Sequence, residues 1–124
     1  ARRVLGADVG GYTRRYFVEA DGLRGAPDAV FRSSGEVVVG DVKSRRFRGS
    51  LTDYERYQMT LYLGMLRRRF PGCAVRGVIR YRDALVPVPF DPELYRWLLS
   101  RAPELRRRLR ERRFVVGRGW TPHA

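Results

Sequence analysis

Glu36-Val37-Val38-Val39-Gly40-Asp41-Val42-Lys43 is the stretch that decides the fold of this chain. Its unbroken valine run predicts a strand over Glu36 to Lys43, buried on both faces. Asp41 and Lys43 are two apart on it, so both side chains point to one face. A carboxylate and an ammonium are costly in such company unless they meet each other or a ligand. Before this strand stands the turn Ser33-Ser34-Gly35. Before that, Leu23 to Arg32 reads as a strand interrupted by Gly25-Ala26-Pro27. The two strands form a hairpin, and Asp28 lies on the first of them. A loop of two or four residues puts Asp28 on the face of Asp41, whereas three residues without a bulge would not. A four-residue loop, Ser33 to Glu36, sets Asp28 directly opposite Asp41.

Outward from the hairpin, Gly10-Gly11 gives the first turn signal. Tyr12 to Glu19 reads as a strand, followed by a tight turn at Ala20-Asp21-Gly22. The first third is therefore read as a three-stranded antiparallel meander. Ser44 to Gly49 is a basic loop. Thr52 then opens a helix, and Glu55 three residues on completes a capping box. That helix runs to about Arg69 and stops at Pro71-Gly72. Ala74 to Tyr81 is the next strand. Leu85 to Pro89 is a short edge strand, because Pro87 and Pro89 cannot donate to a ladder. Asp91-Pro92 caps and starts a second helix, with a break expected at Pro103. Glu104 to Arg113 continues as a very basic helix, and Gly117 to Ala124 has no periodicity. The expectation is an α/β fold with a central mixed sheet, an antiparallel meander within it and flanking helices. It forms one domain over residues 1–124, with a core at about 12–100 and a basic helix and tail at 101–124.

Charge narrows the partners. The net charge is +13 on 124 residues, a field that draws polyanions, of which nucleic acid is the commonest. Of the 26 basic residues, all but Lys43 are arginine. A compact ammonium and a forked guanidinium are not equivalent beside a single oxygen, so this position stands out from the rest. The single cysteine, Cys73, excludes an internal disulfide and a four-cysteine metal or iron–sulfur site. A reducing cytoplasm fits that usage. No stretch approaches the roughly 18 apolar residues of a membrane span, and no secretory signal is visible. The chain begins at Ala1, so it is either a processed product or a fragment.

Two carboxylates facing each other repel unless a cation lies between them. Hard oxygens so placed suit Mg²⁺ or Mn²⁺. Such an ion lowers the pKa of a bound water and polarises a phosphoryl oxygen, and the lysine beside it can serve that water. The competing reading is an ordinary Asp–Lys pair on a sheet face. Gln58 and Tyr62 share one face of the first helix with Tyr54. They can contact phosphate or a base there, or simply close the core. Arg45, Arg46 and Arg48 follow Lys43 at the mouth of the site and can hold phosphates. Arg67, Arg68 and Arg69, like the arginines from Arg106 to Arg113, read equally well as a solvated face.

Three segments carry a resemblance: Gly25-Ala26-Pro27-Asp28, Gly40-Asp41-Val42-Lys43-Ser44 and Gln58-Met59-Thr60-Leu61-Tyr62. Together they resemble the RecB-type nuclease domain and the CRISPR-associated spacer-processing nucleases, within the PD-(D/E)XK superfamily. The Q-x-x-x-Y element marks this branch. The resemblance covers about Tyr16 to Tyr81, roughly half the chain. It implies a restriction-endonuclease-like core, Asp28 and Asp41 as ligands of Mg²⁺ or Mn²⁺, and Lys43 serving the attacking water. It implies that Gln58 and Tyr62 line the site or contact the nucleic-acid backbone, and that the substrate has a free single-stranded end. The activity so expected is hydrolysis of DNA phosphodiester bonds. The alternatives are a catalytically incomplete DNA-binding module acting with a partner protein, or an RNA-directed nuclease. The chain departs from many relatives in lacking four cluster cysteines. It also lacks an upstream helix bearing a further His or Glu ligand, since residues 1–11 are too few for one. Asp8 and Glu19 do not match that position, and the single histidine, His123, lies in the tail.

Overall fold

The computed structural model describes residues 3–7 and 14–101. The strands are β1 (Arg3–Ala7), β2 (Val18–Ala20), β3 (Leu23–Gly25), β4 (Ala29–Ser33), β5 (Glu36–Val42), β6 (Ala74–Arg80) and β7 (Leu85–Pro89). The helices are α1 (Asp53–Arg69), between β5 and β6, and α2 (Pro92–Leu99), after β7. Five strands form one mixed sheet in the order β1-β4-β5-β6-β7, and β2 with β3 forms a separate hairpin. Every pairing in the large sheet is antiparallel except β5 with β6. That parallel pair needs a crossover, and α1 supplies it.

The mixed α/β sheet matches the sequence reading, but the strands of the meander are distributed differently. Leu23 to Arg32 is two strands in two sheets. Pro27 has no amide proton to give a ladder, so the chain leaves the hairpin at Gly25 and enters the large sheet at Ala29. The strand expected over Tyr12 to Glu19 is described only as Val18–Ala20. The three-stranded antiparallel part of the large sheet is instead β1, β4 and β5, and β6 with β7 adds a further antiparallel pair. Strand β1 was not expected, and it pairs with β4 through a register shift between Val4 and Gly6. The second helix ends at Leu99, capped by Ser100, before Pro103 is reached. The expected Gly10-Gly11 turn, the helix over Glu104 to Arg113, Asp8 and the tail with His123 lie outside the described residues.

Helix α1 forms where its signals predict. Thr52 accepts from the Glu55 amide at 3.1 Å and the Glu55 carboxylate accepts from the Thr52 amide at 3.0 Å. Its inward face sets Met59, Leu63 and Leu66 against Val30, Val37, Val39 and Ile79 of the sheet, all nearly inaccessible to water. Burial of a side chain of this size contributes roughly 1.5–3 kcal/mol. No described helix is long and apolar enough to cross a membrane.

Helix α2 packs on α1 through Tyr95, whose ring lies close against Gly64. The Tyr95 hydroxyl also donates to Asp21 at 2.7 Å, in the β2–β3 turn, so the ring is held at both ends. A Cβ at position 64 would overlap that ring. Alanine would gain about 1 kcal/mol of helix propensity over glycine, but overpacking costs about 1–3 kcal/mol. Because Tyr95 cannot swing aside without losing Asp21, the overlap dominates. Gly64→Ala is expected to lower the melting temperature by roughly 5–10 °C. An unchanged melt would mean that α2 is not docked on α1 as described.

Candidate active site

The hairpin register brings the two aspartates together. Ser33 pairs with Glu36 and Ala29 with Gly40, so the next opposed pair is Asp28 and Asp41. The connecting loop is the two-residue turn Ser34-Gly35, which has the same parity as the four-residue loop. Asp41 is buried and Asp28 half-buried. Their carboxyl groups lie within hydrogen-bonding reach of each other. Burial and the neighbouring Asp28 push the Asp41 carboxyl up to about 7, against the pull of Lys43. A carboxylate so disfavoured needs a positive partner.

Lys43 continues the line of β5, its amide donating to Arg80 of β6 at 2.8 Å. Its Nζ is 3.0 Å from Asp41 Oδ2 and donates to Gln58 Oε1 at 3.3 Å. It also sits over the Tyr54 ring, 5.3 Å from the centroid. An ammonium has three protons; two are committed, leaving one for a further acceptor. Gln58 is almost fully buried, and its Nε2 has no hydrogen-bond partner among the described residues. The Tyr54 and Tyr62 hydroxyls adjoin that amide, yet neither closes a bond with Nε2 in acceptable geometry. A buried orphan donor costs about 1–3 kcal/mol unless something accepts from it.

Of the two readings that the sequence left open for Tyr62, a place in the core is the one observed. Its ring is pressed so close under Gly25 that a Cβ there would come within 2.7 Å of Cε1. Burial raises its hydroxyl pKa above the ordinary tyrosine value, and the negative fields of Asp41 and Asp28 add to that shift. Burial and the carboxylates of Asp41, Glu55 and Asp28 push Tyr54 up to about 12, so its hydroxyl keeps its proton at neutral pH.

Two residues of the site surroundings, Arg15 and Glu55, carried no sequence signal of a place at the site. Arg15 reaches Asp28 Oδ1 at 3.2 Å and donates to the Ala26 carbonyl at 3.0 Å. Asp28 Oδ2 accepts from the Val42 amide at 2.9 Å, tying the two strands at the site. Glu55, visible in the sequence only as a capping residue, is buried and also accepts from the Tyr81 hydroxyl at 3.0 Å and from Arg45. The Arg45 guanidinium further lies 4.9 Å above the Tyr81 ring. Of the three arginines expected at the mouth, Arg45 is thus held internally. Arg46 is exposed and 3.5 Å from Asp83, and Arg48 is exposed.

No family model matches the chain, and no curated protein matches it. Among solved structures it is similar to the crystal structure of SSO0001, with 20% identity and a TM-score of 0.43. The match covers 73% of this chain and 47% of that one, so the chain spans about half the length of that protein.

Burial alone would raise the Glu55 pKa, but the Thr52 amide, the Tyr81 hydroxyl and Arg45 outweigh it and hold the carboxyl below its ordinary value of 4.5. A depressed folded-state pKa adds stability above the unfolded value, and that stability is lost as pH falls through the folded value. At pH 7, Glu55→Gln is expected to cost roughly 1.5–3 kcal/mol, the range for hydrogen bonds to a charged group. The gap to the parent should narrow below pH 4.5. Parallel stability curves from pH 7 to 3 would refute the assignment.

Proposed function

We propose that the chain is a Mg²⁺- or Mn²⁺-dependent nuclease that hydrolyses DNA phosphodiester bonds, acting on single strands or ends. The observation that carries this reading is the convergence of Asp28, Asp41 and Lys43 on one face of the sheet. The donor set fits a hard divalent cation: two opposed carboxylates, one of them held in a site that disfavours its charge. Asp28 and Asp41 would hold the ion, which supplies a Lewis acid for a phosphoryl oxygen and acidity for a water.

The protein's own groups complete the chemistry. Lys43 has one uncommitted proton beside Asp41, placed to orient an attacking water or to stabilise charge on a phosphoryl oxygen. The protonated Tyr54 hydroxyl is a further donor suited to a phosphate, whereas the orphan Gln58 Nε2 is buried away from the surface. Gln58 also accepts from Lys43, so it fixes where the ammonium points. The +13 net charge favours a polyanionic substrate.

The decisive measurement is cleavage of end-labelled single- and double-stranded DNA with Mg²⁺, Mn²⁺ or chelator, by the parent and Asp41→Asn. Metal-dependent cleavage by the parent and none by the variant is expected. A specific observation favours a second reading, a DNA-binding module with an incomplete site. Among the described residues no group of three or more His, Cys, Asp or Glu side chains comes together, and Arg15 already occupies one oxygen of Asp28. Tight DNA binding by the parent, without cleavage in either metal, would support that alternative.

A further inference from the structure

At the opposite end of the hairpin from the aspartates, a pocket of about 560 Å³ opens between β4, the Ser34-Gly35 turn and the C-terminal end of α1. Its walls include Arg32, Ser34, Arg69, Phe70 and Gly72. Arg32 comes from β4 and Arg69 from α1, 37 positions later in the chain. Both guanidinium groups gather on one ring: Arg32 is 4.6 Å and Arg69 4.9 Å from the Phe70 centroid. Since both distances run to one centroid, the two guanidinium carbons can be no more than about 9.5 Å apart. No acidic residue lines the pocket, and neither arginine forms an ion pair among the described residues.

This differs from an arginine run along a solvated helix. Arg67, Arg68 and Arg69 are adjacent in sequence, but Arg68 turns to Asp21 at 3.4 Å, while Arg69 turns to a ring it shares with a residue from another element. Two like charges drawn to one place repel, and stacking on a ring relieves that only in part. An anion between them removes the repulsion. Guanidinium forks match phosphate oxygens, and the Ser34 hydroxyl beside them is a further donor.

We infer that the Arg32–Arg69 pocket is a phosphate-binding subsite that grips the nucleic-acid strand away from the point of cleavage. The inference rests on the nuclease reading for its substrate. Arg32 lies on the same face of β4 as Asp28, four residues away, or about 13 Å along a strand. Val30, between them on that face, is buried in the core, so a nucleic-acid strand reaching both places would pass over the outside of the fold rather than along the sheet. The subsite would distinguish strands by length: a strand too short to span from the aspartates would gain less from it.

The test uses the full chain in chelator, so that binding is read whether or not the protein cleaves. Fluorescence anisotropy compares the parent with the double variant Arg32→Gln/Arg69→Gln, using single-stranded DNA of 15 and of 3 nucleotides over a salt series. Both arginines are exposed, and a thermal melt confirms that the variant is folded. The expected result is roughly tenfold weaker binding of the long strand and a smaller loss for the short one, which can occupy the pocket but cannot span to the aspartates. The salt slope should become shallower by about 0.7, the value of one phosphate on a single strand. Equal loss for both lengths, or an unchanged slope in a folded variant, would overturn the subsite. Inorganic phosphate provides a separate arm. If it stabilises the parent and not the variant while long-strand binding stays the same, the pocket takes free phosphate and the strand assignment fails. Failure of the parent to cleave, with the length-dependent loss intact, would sink the nuclease reading and leave the subsite standing.

Discussion

Lys43→Arg is expected to fold, to bind single-stranded DNA within about twofold of the parent, and to lose cleavage by at least a hundredfold. Every other basic residue in the chain is already arginine, so the substitution removes the exception without changing the net charge. Diffuse attraction for a polyanion therefore stays the same. What changes is local. The ammonium fits between Asp41 at 3.0 Å, the Gln58 carbonyl oxygen at 3.3 Å and the Tyr54 ring. A guanidinium is planar, larger and holds its proton too firmly to exchange it with a water. Single-turnover cleavage under saturating protein measures the chemical step apart from binding. Cleavage by Lys43→Arg at the parent rate would remove Lys43 from the chemistry.

The second large effect concerns the aspartate pair. Burial and Asp28 raise Asp41 to about 7 in the folded protein, from an ordinary value of 3.8. For a carboxyl raised in this way, the stabilising contribution is complete below 3.8 and disappears as pH rises through about 7. In chelator the parent should therefore lose stability between about pH 4 and 7 relative to Asp41→Asn. Mn²⁺ should restore it, because an ion that binds only the folded state stabilises by mass action, by about 2.7 kcal/mol at a hundred times its dissociation constant. Neither Asp41→Asn nor Asp28→Asn should gain from Mn²⁺. A metal-induced shift of the same size in the parent and both variants would place the ion elsewhere.

How much of this was legible in the sequence depended on how locally each feature was encoded. Strand β5 was announced by its valine run, α1 by Thr52 and Glu55, the end of α1 by Pro71-Gly72, and the edge position of β7 by its two prolines. Each signal lies within the element it describes. Strand β1 has only five residues, and its partner β4 is more than twenty positions away, so no nearby pattern gives it away. The division of Leu23 to Arg32 could have been read from Pro27, which cannot pair; the choice of a second sheet could not. The aspartate pair was legible because side-chain parity along a hairpin is strict. Arg15 was not, because one arginine among 25 carries no mark in the sequence of the ion pair it makes.

Glu55 ties together segments that would otherwise move independently. Its carboxylate receives a backbone amide from the start of α1, a hydroxyl from Tyr81 just after β6 and a guanidinium from the β5–α1 loop. Local opening therefore cannot peel away that loop alone, since releasing Arg45 strips a buried charge of its partner and loosens the first turn of the helix with it. Tyr54 is in that turn and Gln58 is one turn further on. The lower rim of the proposed site should breathe as one cooperative unit, with amide protons at Thr52 and Glu55 exchanging at a common opening free energy. Binding that stiffens the loop would then be felt at Gln58 without any contact to it.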